Sequence, residues 1–102
     1  MLFKETNHAE VAKRLNQGET LMMLDVREPA EWSEGHVKGV KHIPLGQVLQ
    51  RLDELDPEVE MIVMCRSGGR SGLACELLSE KGYKVVNMNG GVSTWTDEGT
   101  WE

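Results

Sequence analysis

Two short runs, Leu21-Met22-Met23-Leu24 and Met61-Ile62-Val63-Met64, are apolar at every position. A strand with one wet face alternates apolar and polar residues, so a strand apolar on both sides must be covered on both. That requirement points to a sheet held between layers of helix. The intervening segments carry helical spacing. Asn7 with Glu10 three residues on resembles a capping box, and Val11, Ala12 and Leu15 form a stripe that Gly18 ends. Val48, Leu49, Leu52 and Leu55 predict a helix stopped near Pro57, and Leu73, Ala74, Leu77 and Leu78 predict another closed by Gly82. Leu2-Phe3-Lys4 reads as a short opening strand, Val40-Lys41-His42-Ile43 as a brief one ended by Pro44, and Tyr83 to Met88 as a further strand. Pro29 starts a short helix containing Glu31 and Trp32, Asn89-Gly90-Gly91 makes a turn, and Val92 to Trp95 begins a last short helix. The expectation is a single α/β domain over residues 1–102. Its sheet is mainly parallel, of about four or five strands, with helices on both faces.

Composition narrows the partners. A net charge of −6 over 102 residues argues against a general nucleic-acid binder, whose affinity comes from lysine and arginine on phosphates. No apolar run approaches the roughly 18 residues that span a bilayer, so no membrane segment is expected. The N-terminus lacks the layout of a signal peptide. Two cysteines, Cys65 and Cys75, are too few for a disulfide scaffold and match no zinc spacing. A reducing cytoplasm is the simplest home for them. The chain is expected to act as a monomer.

The stretch Cys65-Arg66-Ser67-Gly68-Gly69-Arg70-Ser71 lies between a predicted strand and a predicted helix. A cysteine there faces a helix N-terminus, where amides lack partners and the dipole is positive. Both effects favour thiolate over thiol, as do Arg66 and Arg70 nearby. Adjacent glycines let successive amides turn inward as an anion-binding nest. Two arginines and no acid make the loop a positive spot on an acidic chain, suited to a small anion.

An activated cysteine in such a cradle has three chemistries open to it. It can attack a sulfane sulfur and carry it as a persulfide, attack phosphorus or arsenic in an oxyanion, or exchange with a disulfide. Cysteine phosphatases need a ring wide enough for a tetrahedral phosphate, and place one more residue between cysteine and arginine. Here only four residues, Arg66 to Gly69, separate Cys65 from Arg70. The tighter ring suits one terminal sulfur atom.

With this loop, two further motifs make the chain resemble the single-domain rhodanese-like sulfurtransferases. One is Asp25-Val26-Arg27-Glu28-Pro29-Ala30-Glu31-Trp32, continuing through Gly35-His36-Val37-Lys38-Gly39-Val40 to His42-Ile43-Pro44. The other is Asn89-Gly90-Gly91-Val92 with Trp95. The resemblance implies that Cys65 attacks the outer sulfur of a small anionic donor such as thiosulfate, releases sulfite and holds a persulfide. Cyanide, a cellular thiol or a protein acceptor then takes the sulfur, in ping-pong fashion. The amides of Arg66, Ser67, Gly68, Gly69, Arg70 and Ser71 would stabilise the terminal sulfur. Arg70 would bind the donor's sulfonate and Arg66 would assist at the rim. No metal or organic cofactor is expected. Two alternatives remain: a sulfur-relay or redox module loaded by a partner protein with little thiosulfate turnover, and, disfavoured by the loop length, an oxyanion reductase or phosphatase.

Other conspicuous residues have structural readings. Cys75 flanks the Leu73/Leu77/Leu78 stripe and is expected to pack. Asp25 and Arg27 read as a charge pair beneath the active face. His36 and His42 lack a convergent ligand set for a metal. The methionines read as core fillers and Trp32, Trp95 and Trp101 as packing anchors, Trp101 loosely held in a polar tail.

Overall fold

The computed structural model describes residues 3–102. A parallel sheet of five strands has the order β1-β5-β4-β2-β3, formed by β1 (Lys4–Asn7), β2 (Met22–Asp25), β3 (Lys41–His42), β4 (Met61–Met64) and β5 (Val85–Asn89). Three α-helices connect them: α1 (His8–Asn16), α2 (Pro29–Ser33) and α3 (Gly69–Glu80). The α/β fold, parallel sheet and helix-covered faces are therefore as the sequence requires.

The core divides at the sheet in the two-residue period of the strands. Leu24, Val26, Met61, Val63, Cys65 and Val85 join Ala74, Cys75 and Leu78 of α3 on one side. Met23, Ile62, Met64, Val86 and Met88 join Val11 of α1 on the other, with Trp95 and Trp101 packed against them. In the parallel register Asp25 is level with Met64 and with His42. The carboxyl ends of three neighbouring strands thus finish together, and Asp25 and Cys65 emerge at one edge of the sheet.

Several local expectations are corrected. The opening strand is Lys4–Asn7, later than expected, and Leu2 lies outside the described residues. Asn7 does cap α1, its Oδ1 accepting from the Glu10 N–H at 2.9 Å. The helix predicted through Val48 and Leu55 is two 3-10 pieces, Leu45–Gln50 and Leu52–Glu54. Three residues per turn aligns Leu45 with Val48 and turns Leu49 outward, where it is 45% exposed. The last predicted helix is likewise a 3-10 turn, Val92–Thr94.

In α3 the buried residues are Ser71, Ala74, Cys75 and Leu78, spaced i, i+3, i+4, i+7. Leu73 falls on the opposite side and is 47% exposed. Ala74 and Leu78 of the expected stripe are buried, while Ser71 and Cys75 complete it in place of Leu73 and Leu77. The tail is also held more firmly than expected. His36 N–H donates to Glu102 O at 2.7 Å and Glu102 N–H returns a bond to His36 O at 2.8 Å, while Val37 and Trp101 form an antiparallel bridge.

Trp101 packs where Gly35 leaves room. A Cβ at Gly35 would lie 2.5 Å from Trp101 Nε1, and its φ of +138° disfavours any side chain. Gly35→Ala is expected to destabilise the fold by about 1–3 kcal/mol in urea denaturation, through clash and backbone strain together. Gly46→Ala, at a position open to solvent with ordinary φ, is expected to change stability by less than about 0.5 kcal/mol.

Candidate active site

Cys65 extends the inward-pointing alternation of β4 and is fully buried. The chain then reverses through Gly68, whose φ of 106° and ψ of −13° lie in the left-handed region that glycine adopts without strain. This turn brings the Gly68 N–H to the sulfur, donating to Cys65 Sγ at 3.1 Å. Burial pushes the Cys65 thiol pKa up, but the Ser71 hydroxyl and the amides of Ser71, Gly68 and Ser67 outweigh it, and the net shift is downward. Cys75, on the same core face, is pushed up to about 12 by burial and by the neighbouring Cys65 charge. One thiol is poised to ionise and the other to pack.

The loop is fastened from behind by the turn after β5. Val92 N–H donates to Cys65 O at 2.8 Å and Ser93 N–H to Arg66 O at 3.0 Å. A Cβ on Gly91 would collide with both of those carbonyl oxygens. This contact is backbone on backbone, so no rotamer change can relieve it. The Gly-Gly pair is therefore a component of the site as well as a turn.

A second anchor comes from Asn87, a polar residue in the buried run Val85 to Met88 of β5. Its Nδ2 donates to Gly68 O at 3.3 Å, and its Oδ1 accepts from the Ser71 hydroxyl at 2.6 Å. Asn87 is 5% exposed and Ser71 fully buried. Sequence reasoning passed over Asn87, although a polar side chain inside a buried strand is the kind of signal that marks a buried network.

The arginines differ from one another. Arg70 grips Glu31 of α2 in a two-pronged pair, with Nη1 to Oε1 at 2.6 Å and Nη2 to Oε2 at 2.8 Å. The loop's positive charge is thus partly neutralised by an acid from a segment far away in sequence. Arg70 is not a free anion receptor as the loop alone implied; a donor sulfonate would have to compete with Glu31. The Arg70 bond holds the Glu31 carboxyl at about 2 despite its partial burial. Arg66 is exposed and has no side-chain partner among the described residues.

Beneath α2, Arg27 holds the buried Asp25 through Nε at 3.0 Å and Nη2 at 2.8 Å. Its remaining reach goes to Glu31 O at 3.2 Å and Gly35 O at 2.9 Å. This is the expected structural pair, and it fixes the segment carrying Glu31. Trp32 stacks in parallel with His36, centroids 3.6 Å apart, and with His42 at 4.6 Å. His42 Nε2 also lies 2.7 Å from Arg27 O. Both histidines are thus engaged in packing around α2.

Two measurements check this electrostatic picture. A thiolate absorbance titration is expected to show one step below the roughly 8.5 of free cysteine, absent from Cys65→Ser and retained in Cys75→Ser. Glu31 contributes stability above its unfolded pKa, and that contribution disappears as pH falls through about 2. Wild type is accordingly expected to exceed Glu31→Gln in stability by up to about 1 kcal/mol at pH 5, the solvent-exposed side of the pair keeping the difference small. The difference should shrink below pH 4 and vanish near pH 2 in acid denaturation curves.

A protein-family model described as Rhodanese-like domain matches residues 7–98. Among curated proteins, the chain is 37% identical over 98 residues to the "Putative sulfurtransferase YtwF" of Bacillus subtilis, covering 96% of this chain and 95% of that protein. It is 39% identical over 71 residues to the "Thiosulfate sulfurtransferase PspE" of Escherichia coli, covering 68% of each. A crystal structure of a rhodanese-like domain protein from Staphylococcus aureus superposes with a TM-score of 0.89 at 28% identity, covering 96% of both chains. With its parallel sheet and a cysteine loop at the strand ends, this chain belongs to the rhodanese-like domain family.

Proposed function

We propose that the protein is a sulfurtransferase in which Cys65 takes a sulfane sulfur from thiosulfate or a related persulfide donor and passes it to a thiophilic acceptor. The observation that carries this reading is the Gly68 N–H on Cys65 Sγ, at 3.1 Å, within a loop that depresses the thiol pKa. Kinship with proteins named sulfurtransferases supports the reaction type.

In the first step the Cys65 thiolate attacks the outer sulfur of thiosulfate. A new S–S bond forms, the old one breaks, and its electron pair leaves with sulfite. The persulfide carries its negative charge on the terminal sulfur, where fixed amide dipoles need no reorganisation to stabilise it. Arg66, exposed at the loop, is the cation available to the donor's anionic end, whereas Arg70 braces the loop through Glu31. In the second step an acceptor nucleophile attacks that terminal sulfur and Cys65 departs as thiolate. The low thiol pKa serves both steps, since it supplies the nucleophile and improves the leaving group.

Intact mass spectrometry after incubation with thiosulfate is expected to show a gain of one sulfur, reversed by cyanide with formation of thiocyanate and absent in Cys65→Ser. Wild-type protein that gains no sulfur from thiosulfate or from a low-molecular-mass persulfide would overturn the reading. Loading by a protein persulfide alone would favour the relay role instead.

A further inference from the structure

Two buried polar side chains, Ser71 and Asn87, meet between α3 and β5. The surroundings fix which way the Asn87 amide points. Its Nδ2 donates to Gly68 O and to Asn89 Oδ1, each at 3.3 Å, and a backbone carbonyl can only accept. Oδ1 must therefore face Ser71, whose hydroxyl donates to it at 2.6 Å. No other group among the described residues donates to that oxygen. The Ser71 hydroxyl also lies 3.2 Å from Gly68 O, but that carbonyl is already held by Asn87 Nδ2 and by Gly72 N–H at 3.0 Å.

The same hydroxyl serves the sulfur. Ser71 stands in the first turn of α3, three residues beyond Gly68, whose N–H reaches Cys65 Sγ at 3.1 Å. Against the rise that burial imposes, its hydroxyl is among the groups that pull the Cys65 thiol pKa down. A hydroxyl has one proton, so Asn87 Oδ1 and Cys65 Sγ compete for it. A neutral thiol is a weak acceptor and loses to the amide carbonyl. An anionic sulfur wins, since a charge-assisted hydrogen bond is roughly twice as strong as a neutral one. Ser71 is fully buried, so bulk water takes no part in the contest.

We propose that Asn87 is a positioning residue for Cys65: it holds the Ser71 hydroxyl proton while the sulfur is neutral and yields it when the sulfur carries negative charge, as thiolate or as persulfide. This role rests on the Cys65 reading above and adds a residue that acts on the sulfur through another. The proton turns with the Ser71 O–H bond and stays on Oγ, so no covalent bond forms or breaks. Asn87 thereby opposes the anion by the worth of the hydrogen bond it gives up.

A double-mutant cycle on the thiolate titration tests it, with the Cys65 thiol pKa measured in wild type, Asn87→Leu, Ser71→Ala and the double variant. Ionisable groups around the sulfur include Arg66 beside it in the chain, Arg70 and Cys75 on α3, Glu31 behind Arg70, and the Asp25–Arg27 pair at the end of β2. All are the same in the four proteins, so their effects cancel in the cycle. Asn87→Leu removes the competing acceptor at nearly constant volume. It is expected to lower the pKa by about 0.4–1 unit more with Ser71 present than in the Ser71→Ala background, the net worth of one neutral hydrogen bond. Equal shifts in both backgrounds would overturn the proposal. A second readout leaves Asn87 in place. The Asn87 side-chain carbonyl 13C resonance of wild type is expected to titrate with the Cys65 midpoint and to stay flat across that range in Ser71→Ala. A resonance flat in wild type, or one whose titration survives Ser71→Ala, would equally overturn it. Protein that fails these tests yet gains one sulfur from thiosulfate leaves the transfer reading standing. Protein that never loads removes that reading, while the titrations still decide this one.

Discussion

The site depends on two adjacent peptides being held by a neighbouring turn. Cys65 O and Arg66 O are each taken by an N–H of the Gly91–Ser93 segment, and Gly91 has no Cβ to keep the two backbones apart. With those carbonyls directed backward, the chain after Cys65 is free to curl forward, so that Gly68 delivers its N–H to the sulfur. The turn follows β5 and the cysteine follows β4, and these strands are parallel neighbours. The sheet order therefore creates the loop's support, and the loop in turn creates the field at the sulfur.

That field comes chiefly from hydrogen-bond dipoles. Burial alone would keep Cys65 protonated; the amides of Ser67, Gly68 and Ser71 with the Ser71 hydroxyl reverse the sign. Cys75 is the internal comparison. It shares the same core face, receives no such donors among the described residues, and is driven the other way. The same core face thus holds one thiol pushed toward thiolate and one kept protonated, according to where backbone N–H groups point.

The arginines show a similar division of labour. Arg70 ties the loop to α2 through Glu31, and α2 is fixed below by Arg27 on Asp25 and flanked by the Trp32, His36 and His42 stack. Charge that looked excess in the loop is spent on a cross-link between segments. Arg66, by contrast, stays open to solvent beside the loop, with no side-chain partner among the described residues.

Some of this was legible in the chain of letters. The all-apolar runs required a sheet covered on both faces, and the sequence from Cys65 to Ser71 marked the loop, because strand periodicity and glycine conformations are local properties. Asn7 as a cap and Pro29 at a helix start are local in the same sense. The orientation of α3 was legible in part: Ala74 and Leu78 are buried as expected, but the small residues Ser71 and Cys75 complete the stripe in place of Leu73 and Leu77. Nor were the partners of Arg70, Gly91 and Ser71, which come from Glu31, the Cys65–Arg66 carbonyls and Asn87. Local backbone preference is written residue by residue, so the strand-to-helix loop that begins at Cys65 could be read from the sequence itself. Which side chains and carbonyls meet around it depends on strand order and register, and only the assembled sheet decides those.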